Sequence, residues 1–378
     1  MVGGTTRKIS AASARSHTRK PKSKTSSKIS GLVKKILLVS LMGFLAWAYQ
    51  ATQPPPPNTC GSTNGPPITA PRIQLKDGRY LAYKEYGVPK HIAKHKIVFV
   101  HGFDNCRHEV SAAYLSPDIV ESLGIYLVSF DRPGYGESDP HPTRTIKSLA
   151  FDIEELADKL ELGSKFYVVG FSMGGQIVWT CLKYIPYRLA GAALVAPVIN
   201  YWWPGIPSNM SKEAYGQQLL QDQWALRVAH YMPWLTYWWN TQKLFPPSSV
   251  ISHSPRVFSS QDIELIPRVL PIRKDYQAQV RQQGEFESVH RDAMIAFSNW
   301  EFGPTDLKNL SLESEVSVHL WQGDEDILVP VKLQRYIVSQ LPWIQYHELS
   351  GAGHLLLYAP GRADSIMQTL LGGKKDTS

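Results

Sequence analysis

The chain contains 378 residues, of which 43% are apolar, and this is enough for one large hydrophobic core with a smaller insertion. Its formal charge is +8, but the first 35 residues carry ten Lys or Arg and no Asp or Glu, which leaves −2 for the remainder. Because the positive charge is confined to this tail, the sequence argues against a nucleic-acid-binding protein.

The N-terminal region combines this tail with an apolar run. Residues 1–35 are rich in Ser, Thr, Lys and Arg and are predicted to be disordered. Residues 36–51 are predicted to form a membrane anchor, although the apolar run is shorter than the roughly 20 residues that usually span a bilayer. A signal-anchor helix is the favoured interpretation, and a plastid transit peptide or a cleaved signal peptide are the alternatives.

The basic residues also predict an orientation. Because they precede the apolar run, the positive-inside rule keeps the tail cytosolic and places the rest of a single-pass protein on the lumenal side of the ER or another endomembrane. Two glycosylation sequons, which begin at Asn209 and Asn309, would then be open to modification. The alternative location is the plastid.

The folded region follows a Pro- and Gly-rich linker at residues 52–71. Residues 72–75 and 79–87, joined by Asp77-Gly78, predict a β-hairpin. Further strands are predicted at 97–102, 125–131, 165–171, 190–198, 316–323 and 344–349, and helices at 146–160, 174–184, 329–340 and 363–371. Apolar strands that alternate with helices indicate an α/β fold with a mostly parallel sheet and helices on both faces.

The alternation stops between residues 199 and 312, which carry seven of the eleven tryptophans. This segment is too long for a loop, so a helical subdomain is predicted, inserted into a core formed by residues 72–198 and 313–371. Its Trp and Tyr side chains are expected to pack mainly within the subdomain, with several of them lining a substrate pocket.

The most informative motif is the sequence GFSMGG at residues 170–175. It follows a predicted strand and opens a predicted helix, which is the context that the G-x-S-x-G nucleophile elbow requires. Ser172 is therefore the candidate nucleophile, and the N-terminus of the helix would favour the negative charge that develops beside it.

A nucleophilic serine needs a base, and the base needs an acid that orients it. His354 lies in a Gly-flanked loop after the last predicted strand and is the candidate base. The loop after the preceding strand offers Asp324, Glu325 and Asp326, of which Asp326 is favoured over Asp324. The order Ser, Asp, His is that of the α/β-hydrolases.

Taken together, these motifs resemble the α/β-hydrolase-1 family over residues 72–371. The sequences HGF at 101–103, DRPGYGES at 131–138, GFSMGG, GDEDILVP and GAGH match its conserved loops. The region around the tryptophans also resembles a plant subgroup of membrane-anchored hydrolases without assigned substrates.

The resemblance implies an oxyanion hole and a cap. The backbone N–H groups of Phe103 and Met173 would form the hole, and residues 199–312 would form the cap. His101 is expected to brace the oxyanion loop, and Asp131 and Arg132 are expected to pair with each other. No HGGG motif is present, and position 172 is Ser rather than Asp, which disfavours the hormone-sensitive-lipase branch and the epoxide hydrolases.

The sequence therefore predicts a serine hydrolase that cleaves a carboxylic ester, lipid-derived if the anchor is real, without a cofactor or a metal. A non-catalytic ligand-binding receptor of the same fold is the alternative from another class, and thioesterase or acyltransferase activity is the alternative among enzymes. The intact Ser, His and Asp set favours the enzyme, whereas the substrate and the oligomeric state are left open.

Overall fold

The computed structural model describes residues 1, 3–4, 25–110, 114–309 and 316–372. The chain divides into two units, Met1–Gln53 and Pro54–Ser378. Most of the tail predicted for residues 1–35 lies outside the described residues, and so do the last two residues of the Asn309 sequon.

The first unit contains one long helix, α1, at Thr25–Thr52. Its segment Ser30–Thr52 has 23 residues and a mean hydropathy of 1.7, and at 1.5 Å per residue it is about 34 Å long, enough to cross a bilayer core. Length and composition alone support this, and a signal sequence would have the same properties. The structure describes a helix from Thr25 onward, within the segment 1–35 that was predicted to be disordered, and no Pro or Gly precedes Gly31 in this helix.

The second unit contains one sheet, to which eight strands contribute within the described residues. The order across the sheet is β1-β2-β4-β3-β5-β6-β7-β8, and all pairs from β4 to β8 are parallel. The strands are β1 (Arg72–Gln74), β2 (Tyr80–Gly87), β3 (His95–Val100), β4 (Ile125–Phe130), β5 (Phe166–Phe171), β6 (Leu189–Val195), β7 (Ser317–Gly323) and β8 (Gln345–Leu349).

Helices cover both faces of this sheet. The described helices after α1 are α2 (Pro117–Leu123), α3 (Ile146–Lys159), α4 (Met173–Tyr184), α5 (Ser208–Gly216), α6 (Leu220–Tyr231), α7 (Thr236–Thr241), α8 (Ser260–Lys274), α9 (Gln277–Val280), α10 (Arg291–Ala296), α11 (Val331–Gln340) and α12 (Arg362–Leu371).

Two hydrophobic clusters explain why the strands are apolar along their whole length. On β3, Val98 and Val100 face the cluster that contains α3, α4 and α11, whereas Ile97 and Phe99 face the cluster that contains α2 and α12. Because successive side chains of a strand point to opposite faces, a sheet covered on both sides requires apolar residues at every position. The predicted α/β-hydrolase fold is confirmed.

The predicted elements agree with the structure except at their ends and at one helix. The hairpin forms, with Arg72 opposite Ala82 and Gln74 opposite Tyr80. Helix α2 was not predicted, because seven residues are too few to establish a helical period, although its start is marked by Ser116, which caps it, and by Pro117. The segment between β6 and β7 holds α5 to α10, and its function as a cap stays a prediction.

Candidate active site

Ser172 lies in the turn between β5 and α4, at the carboxyl ends of the parallel strands. Its backbone has φ 55° and ψ −116°, a conformation that is rare for a residue with a side chain. Its N–H donates to the carbonyl of Val195 at 2.8 Å, and its carbonyl accepts from the N–H of Val198 at 3.1 Å. These hydrogen bonds to the end of β6 hold the strained turn in place.

Two glycines allow this turn to pack closely. A Cβ atom on Gly174 would overlap the carbonyl oxygen of Val100 at the end of β3, and one on Gly170 would overlap the backbone of Gly174. Helix α4 therefore begins in direct contact with β3 and β5, and its first turn lies where only glycine fits. This is the reason why the motif needs glycine on both sides of Ser172.

The structure brings the three predicted side chains into one hydrogen-bonded chain. The Oγ of Ser172 is 2.9 Å from the Nε2 of His354, and the Nδ1 of His354 is 2.8 Å from the Oδ2 of Asp326. All three residues are buried, with exposed fractions of 5–7%. A proton on Nδ1, donated to Asp326, leaves Nε2 able to accept the proton of the serine hydroxyl.

The two candidate acids occupy different environments. The carboxylate of Asp326 also accepts from the Nε2 of Gln322 at 2.9 Å and from the N–H of Val329 at 2.9 Å, which fix its orientation toward His354. The carboxylate of Asp324 instead accepts from the N–H of Gly351 at 2.7 Å. Asp326, which the sequence favoured, is therefore the residue that contacts His354.

The surroundings of His354 favour its protonated form. Burial by itself lowers the pKa of the imidazole, but the charge and the hydrogen bond of Asp326 oppose this effect, and the net pKa lies above the ordinary value of 6.5. An imidazole with a raised pKa accepts a proton more readily, which suits a general base. The carboxylate of Asp262 contributes in the same direction.

Asp262 was missed by the sequence analysis. It lies in the first turn of α8, and its carboxylate accepts from the N–H groups of His354 at 3.0 Å and Leu355 at 2.6 Å. The side chain of Gln261 accepts from the N–H of Gly353 at 2.7 Å. The only signal in the sequence was the capping pair Ser259 and Asp262, which predicts a helix start but not its contact with the histidine loop.

Glu109 was also missed, and it holds the loop that contains Phe103. Its buried carboxylate accepts from the N–H of Gly102 at 2.6 Å, the Nδ2 of Asn105 at 2.6 Å and the hydroxyl of Tyr358 at 2.6 Å. Burial raises the pKa of Glu109, although these donors oppose the shift. Gly102 directly precedes Phe103. By accepting a hydrogen bond from the N–H of Gly102, Glu109 fixes the backbone orientation at Phe103.

His101 and its neighbours brace the same loop. The Nε2 of His101 accepts from the N–H of Arg132 at 3.0 Å, so its Nδ1 donates to the carbonyl of Gly102 at 2.8 Å. Burial, followed by the charge of Arg132, lowers the pKa of His101 well below its ordinary value. His101 is therefore a neutral brace, as the sequence analysis expected.

The expected pairing of Asp131 with Arg132 is wrong. Asp131 accepts from Arg107 at 2.5 Å, and Arg132 donates to Asp292 at 2.6 Å. The two residues follow β4 directly, and consecutive side chains of an extended backbone point to opposite sides. Each of them therefore finds a partner elsewhere in the fold.

Asp104 joins the Phe103 loop to the segment between β6 and β7. Its carboxylate accepts from Arg273 at 2.7 Å, Arg281 at 2.5 Å and His253 at 2.6 Å. Burial raises the pKa of the Asp104 carboxyl, but these partners outweigh it and lower the pKa to about 2. Asp104 has φ 52° and His253 has φ 55°, so both ends of this contact are held in strained conformations.

Two cavities meet at Ser172. The smaller has a volume of about 110 Å³ and the larger of about 760 Å³, and both walls are mainly apolar, although charged side chains also line the larger cavity. Phe103, Ser172 and His354 border both of them. The smaller cavity is also lined by Met173, Val198, Ile199, Ala225, Ala229 and Phe297, and the larger by Gly102, Asn105, Glu109, Val269, Arg273 and Tyr358.

Aromatic residues of the predicted cap line these cavities less than expected. Of the Trp and Tyr residues that the sequence analysis singled out there, Tyr201 borders the smaller cavity, whereas none of the seven tryptophans borders either cavity in the described part of the chain. The tryptophans instead pack on one another, as Trp203 does on Trp300 at 5.1 Å, or lie at the surface. Aliphatic side chains together with phenylalanines such as Phe103 and Phe297 supply the apolar wall of the smaller cavity.

Comparison with known proteins agrees with the observed fold. A family model described as alpha/beta hydrolase fold matches residues 96–359. The pimeloyl-[acyl-carrier protein] methyl ester esterase of Sodalis glossinidius is 30% identical over 130 residues, which are 33% of this chain and 47% of that protein. The chain therefore spans about half the length of this curated relative.

Solved structures share the fold at low sequence identity. A thermophilic esterase from Thermogutta terrifontis, with malate bound, superimposes with a TM-score of 0.54 at 22% identity, over 79% of this chain and 97% of its own. An enol-lactonase from Burkholderia xenovorans superimposes with a TM-score of 0.51 at 18% identity, over 79% and 97%. At these identities the likeness extends to the fold alone.

The close packing of the turn generates a prediction. Gly174→Ala should lower the free energy of unfolding by at least about 2 kcal/mol, because the new methyl group overlaps the Val100 carbonyl. Gly216→Ala is the matched control: it lies at the end of α5 with nothing within 4 Å of the added Cβ, and it should be neutral or slightly stabilising. Chemical denaturation measures both variants. Equal stabilities would contradict the packing described for α4.

Proposed function

The chain belongs to the α/β-hydrolase fold family, and we propose that it is a serine carboxylester hydrolase with Ser172 as nucleophile, His354 as base and Asp326 as the orienting acid. The observation that carries the proposal is the continuous chain of hydrogen bonds from Ser172 through His354 to Asp326. A chain of this kind activates a hydroxyl that is otherwise a weak nucleophile. The position of Ser172 on a strained turn, beside two cavities, supports the same conclusion.

The proposed reaction follows from which atoms of Ser172 and His354 can give and accept a proton. The Oγ of Ser172 attacks the ester carbonyl carbon while the Nε2 of His354 takes its proton, and the alcohol leaves with that proton. A water molecule then attacks the acyl-enzyme, again giving its proton to His354, and the acid leaves. Asp326 stays ionised and stabilises the imidazolium that forms at each step.

We assign the stabilisation of the oxyanion to the N–H groups of Phe103 and Met173. Met173 is the first residue of α4, where a backbone N–H has no partner within the helix. Phe103 lies in the loop that Glu109 and His101 hold. Phe103 and Met173 border the smaller cavity together with Ser172. A donor of this kind contributes about 3–4 kcal/mol in a well-studied protease.

The cavities support an ester with at least one apolar group. We propose that residues 199–312 act as the cap, because Ile199, Ala225 and Ala229 line the smaller cavity together with Ser172. Apolar walls with a few polar groups are typical of small-molecule sites. The apolar helix α1 makes a lipid-derived ester the favoured substrate class.

We further propose that α1 is a signal-anchor that leaves the basic tail in the cytosol and places the hydrolase domain in the lumen of the ER or another endomembrane. The ten basic residues before the apolar segment support this orientation. Asn209 lies exposed at the start of α5, where a glycan would meet no buried surface.

The two acids of the Asp326 loop provide the test of the mechanism. Asp326→Asn should lower kcat by about 10³- to 10⁴-fold, because an amide neither fixes the required tautomer nor stabilises the imidazolium. Asp324→Asn is the matched control and should retain most activity, since Asp324 contacts Gly351 and not His354. Steady-state kinetics on p-nitrophenyl esters compare them. The opposite ranking would show that the acid is misassigned.

The same two variants should differ in their pH profiles. His354 acts as a base only when neutral, so the activity of the unmodified protein should rise with pH through a pKa above 6.5. Asp326→Asn removes the charge that raises this pKa, so the rise should move to lower pH, whereas Asp324→Asn should leave it in place. Identical profiles for all three proteins would contradict the proposed role of Asp326.

The lumenal orientation is tested on intact microsomes from cells that express the full chain. The hydrolase domain should resist added protease until detergent is present, and endoglycosidase should shift the mobility of the protein. The variants Asn209→Gln and Asn309→Gln show which sequon carries the glycan. Digestion without detergent, together with no endoglycosidase shift, would exclude the lumenal placement.

A further inference from the structure

Large apolar side chains lie exposed on the segment that contains α6 and α7. We define the apolar ridge as Leu220, Trp224, Tyr231, Trp234, Leu244 and Phe245, which are between 46% and 78% exposed. Single exposed apolar residues are common, but a concentration within 26 consecutive residues is a feature of binding surfaces. Most of the exposed residues are Trp, Tyr, Phe and Leu, the types that populate membrane interfaces.

Helix α6 presents two different apolar faces. Leu220, Trp224 and Tyr231 recur at spacings of four and seven residues, so they lie on one side of the helix, and this side is exposed. Ala225 and Ala229 lie on the other side, where they are buried and line the smaller cavity. The same helix therefore forms both an outer apolar surface and a wall of the candidate active site.

Aromatic contacts connect α6 to the residues that follow α7. The ring of Trp224 lies 6.1 Å from that of Trp239, which stacks on Phe245 at 5.4 Å between ring centroids. Leu244, beside Phe245, is 78% exposed. The exposed side chains of these two segments therefore belong to one surface that is held by ring packing.

The charged side chains of residues 220–245 indicate which kind of partner the apolar ridge would bind. Between residues 220 and 245 the only acidic side chain is Asp222, which is buried and accepts hydrogen bonds from Ser248 and Ser249. The basic side chains are Lys243, which is exposed, and Arg227, whose guanidinium lies 5.3 Å from the Trp224 ring centre. An aromatic and basic surface without exposed carboxylates complements the phosphate groups of lipids.

A short linker joins the proposed membrane anchor α1 to the folded unit that carries the ridge. The N–H of Asn58 donates to the carbonyl of Gln283 at 2.9 Å, and the N–H of Cys60 donates to the Oε1 of Gln283 at 3.0 Å. Residues 53–57 alone separate Asn58 from the end of α1, and five residues extend over at most about 18 Å. If α1 is anchored as proposed, a linker of this length holds the folded unit at a high effective concentration near lipid.

We propose that the apolar ridge docks on the surface of a phospholipid bilayer, with its aromatic side chains at the level of the headgroups. The docking rests on the proposed anchoring of α1 and not on the proposed hydrolase activity. It brings the outer face of α6 into contact with lipid, while the inner face of the same helix lines the smaller cavity. An ester that resides in the membrane then lies close to the wall of the site that would receive it.

A site-specific fluorescent label tests the docking in the full chain. The three native cysteines are buried, so an introduced surface cysteine carries the label. The probe is an NBD group on Trp224→Cys or on Leu244→Cys, in protein reconstituted into vesicles of phosphatidylcholine and phosphatidylserine that contain nitroxide-labelled lipid. Tyr187→Cys is the matched control, because Tyr187 is an aromatic residue that is 58% exposed just before β6, at the opposite end of the strands from Ser172.

Lipid nitroxides should quench the label on both ridge variants at least about threefold more than the label on Tyr187→Cys, because a docked interfacial surface lies at headgroup depth. The variant Leu244→Cys is included because removal of the Trp224 ring could itself change the structure near the label. Equal quenching at all three positions would overturn the proposal. The proposal would also be overturned if the ridge labels became shielded from solvent as the protein concentration rose and stayed shielded in detergent. A second copy of the chain, and not lipid, would then cover the ridge.

Discussion

The backbone of Ser172 is the constraint on which the candidate site depends. A residue with φ 55° at the end of a strand persists only if its surroundings hold it. Here the end of β6 supplies two hydrogen bonds to that residue, and the first turn of α4 packs on β3 at a distance that only glycine permits. This arrangement lifts the hydroxyl off the sheet toward His354. The fold therefore contributes to the proposed chemistry by maintaining a strained turn.

Elements distant in sequence complete the site. The His354 loop is fixed by Asp262 of α8, and the Phe103 loop is tied to the same region by Asp104 through Arg273 and Arg281. Residues of the proposed cap thus hold both loops that flank Ser172. The smaller cavity shares α6 with the exposed apolar ridge.

The sequence predicted the α/β-hydrolase fold and brought Ser172, His354 and Asp326 together, because each of them lies in a short motif that follows a strongly apolar strand. It did not predict Asp262 or Glu109, since their roles depend on tertiary contacts that no local pattern encodes. It paired Asp131 with Arg132 from adjacency alone, although neighbouring side chains diverge. It expected several Trp and Tyr side chains of the predicted cap to line the pocket, whereas of those it named only Tyr201 borders a cavity in the described part of the chain. Local motifs located the reacting groups, and the supporting contacts required the structure.

The central claim is that Ser172 is an activated nucleophile, and covalent labelling tests it most directly. A fluorophosphonate added to the full chain should modify Ser172, as mass spectrometry of the peptide that contains it would show, and Ser172→Ala should lose both the adduct and ester hydrolysis while its circular dichroism spectrum is retained. Near-complete loss of activity is expected because the hydroxyl is the attacking group. Full hydrolysis by a correctly folded Ser172→Ala protein, or an adduct on a different serine, would contradict the account.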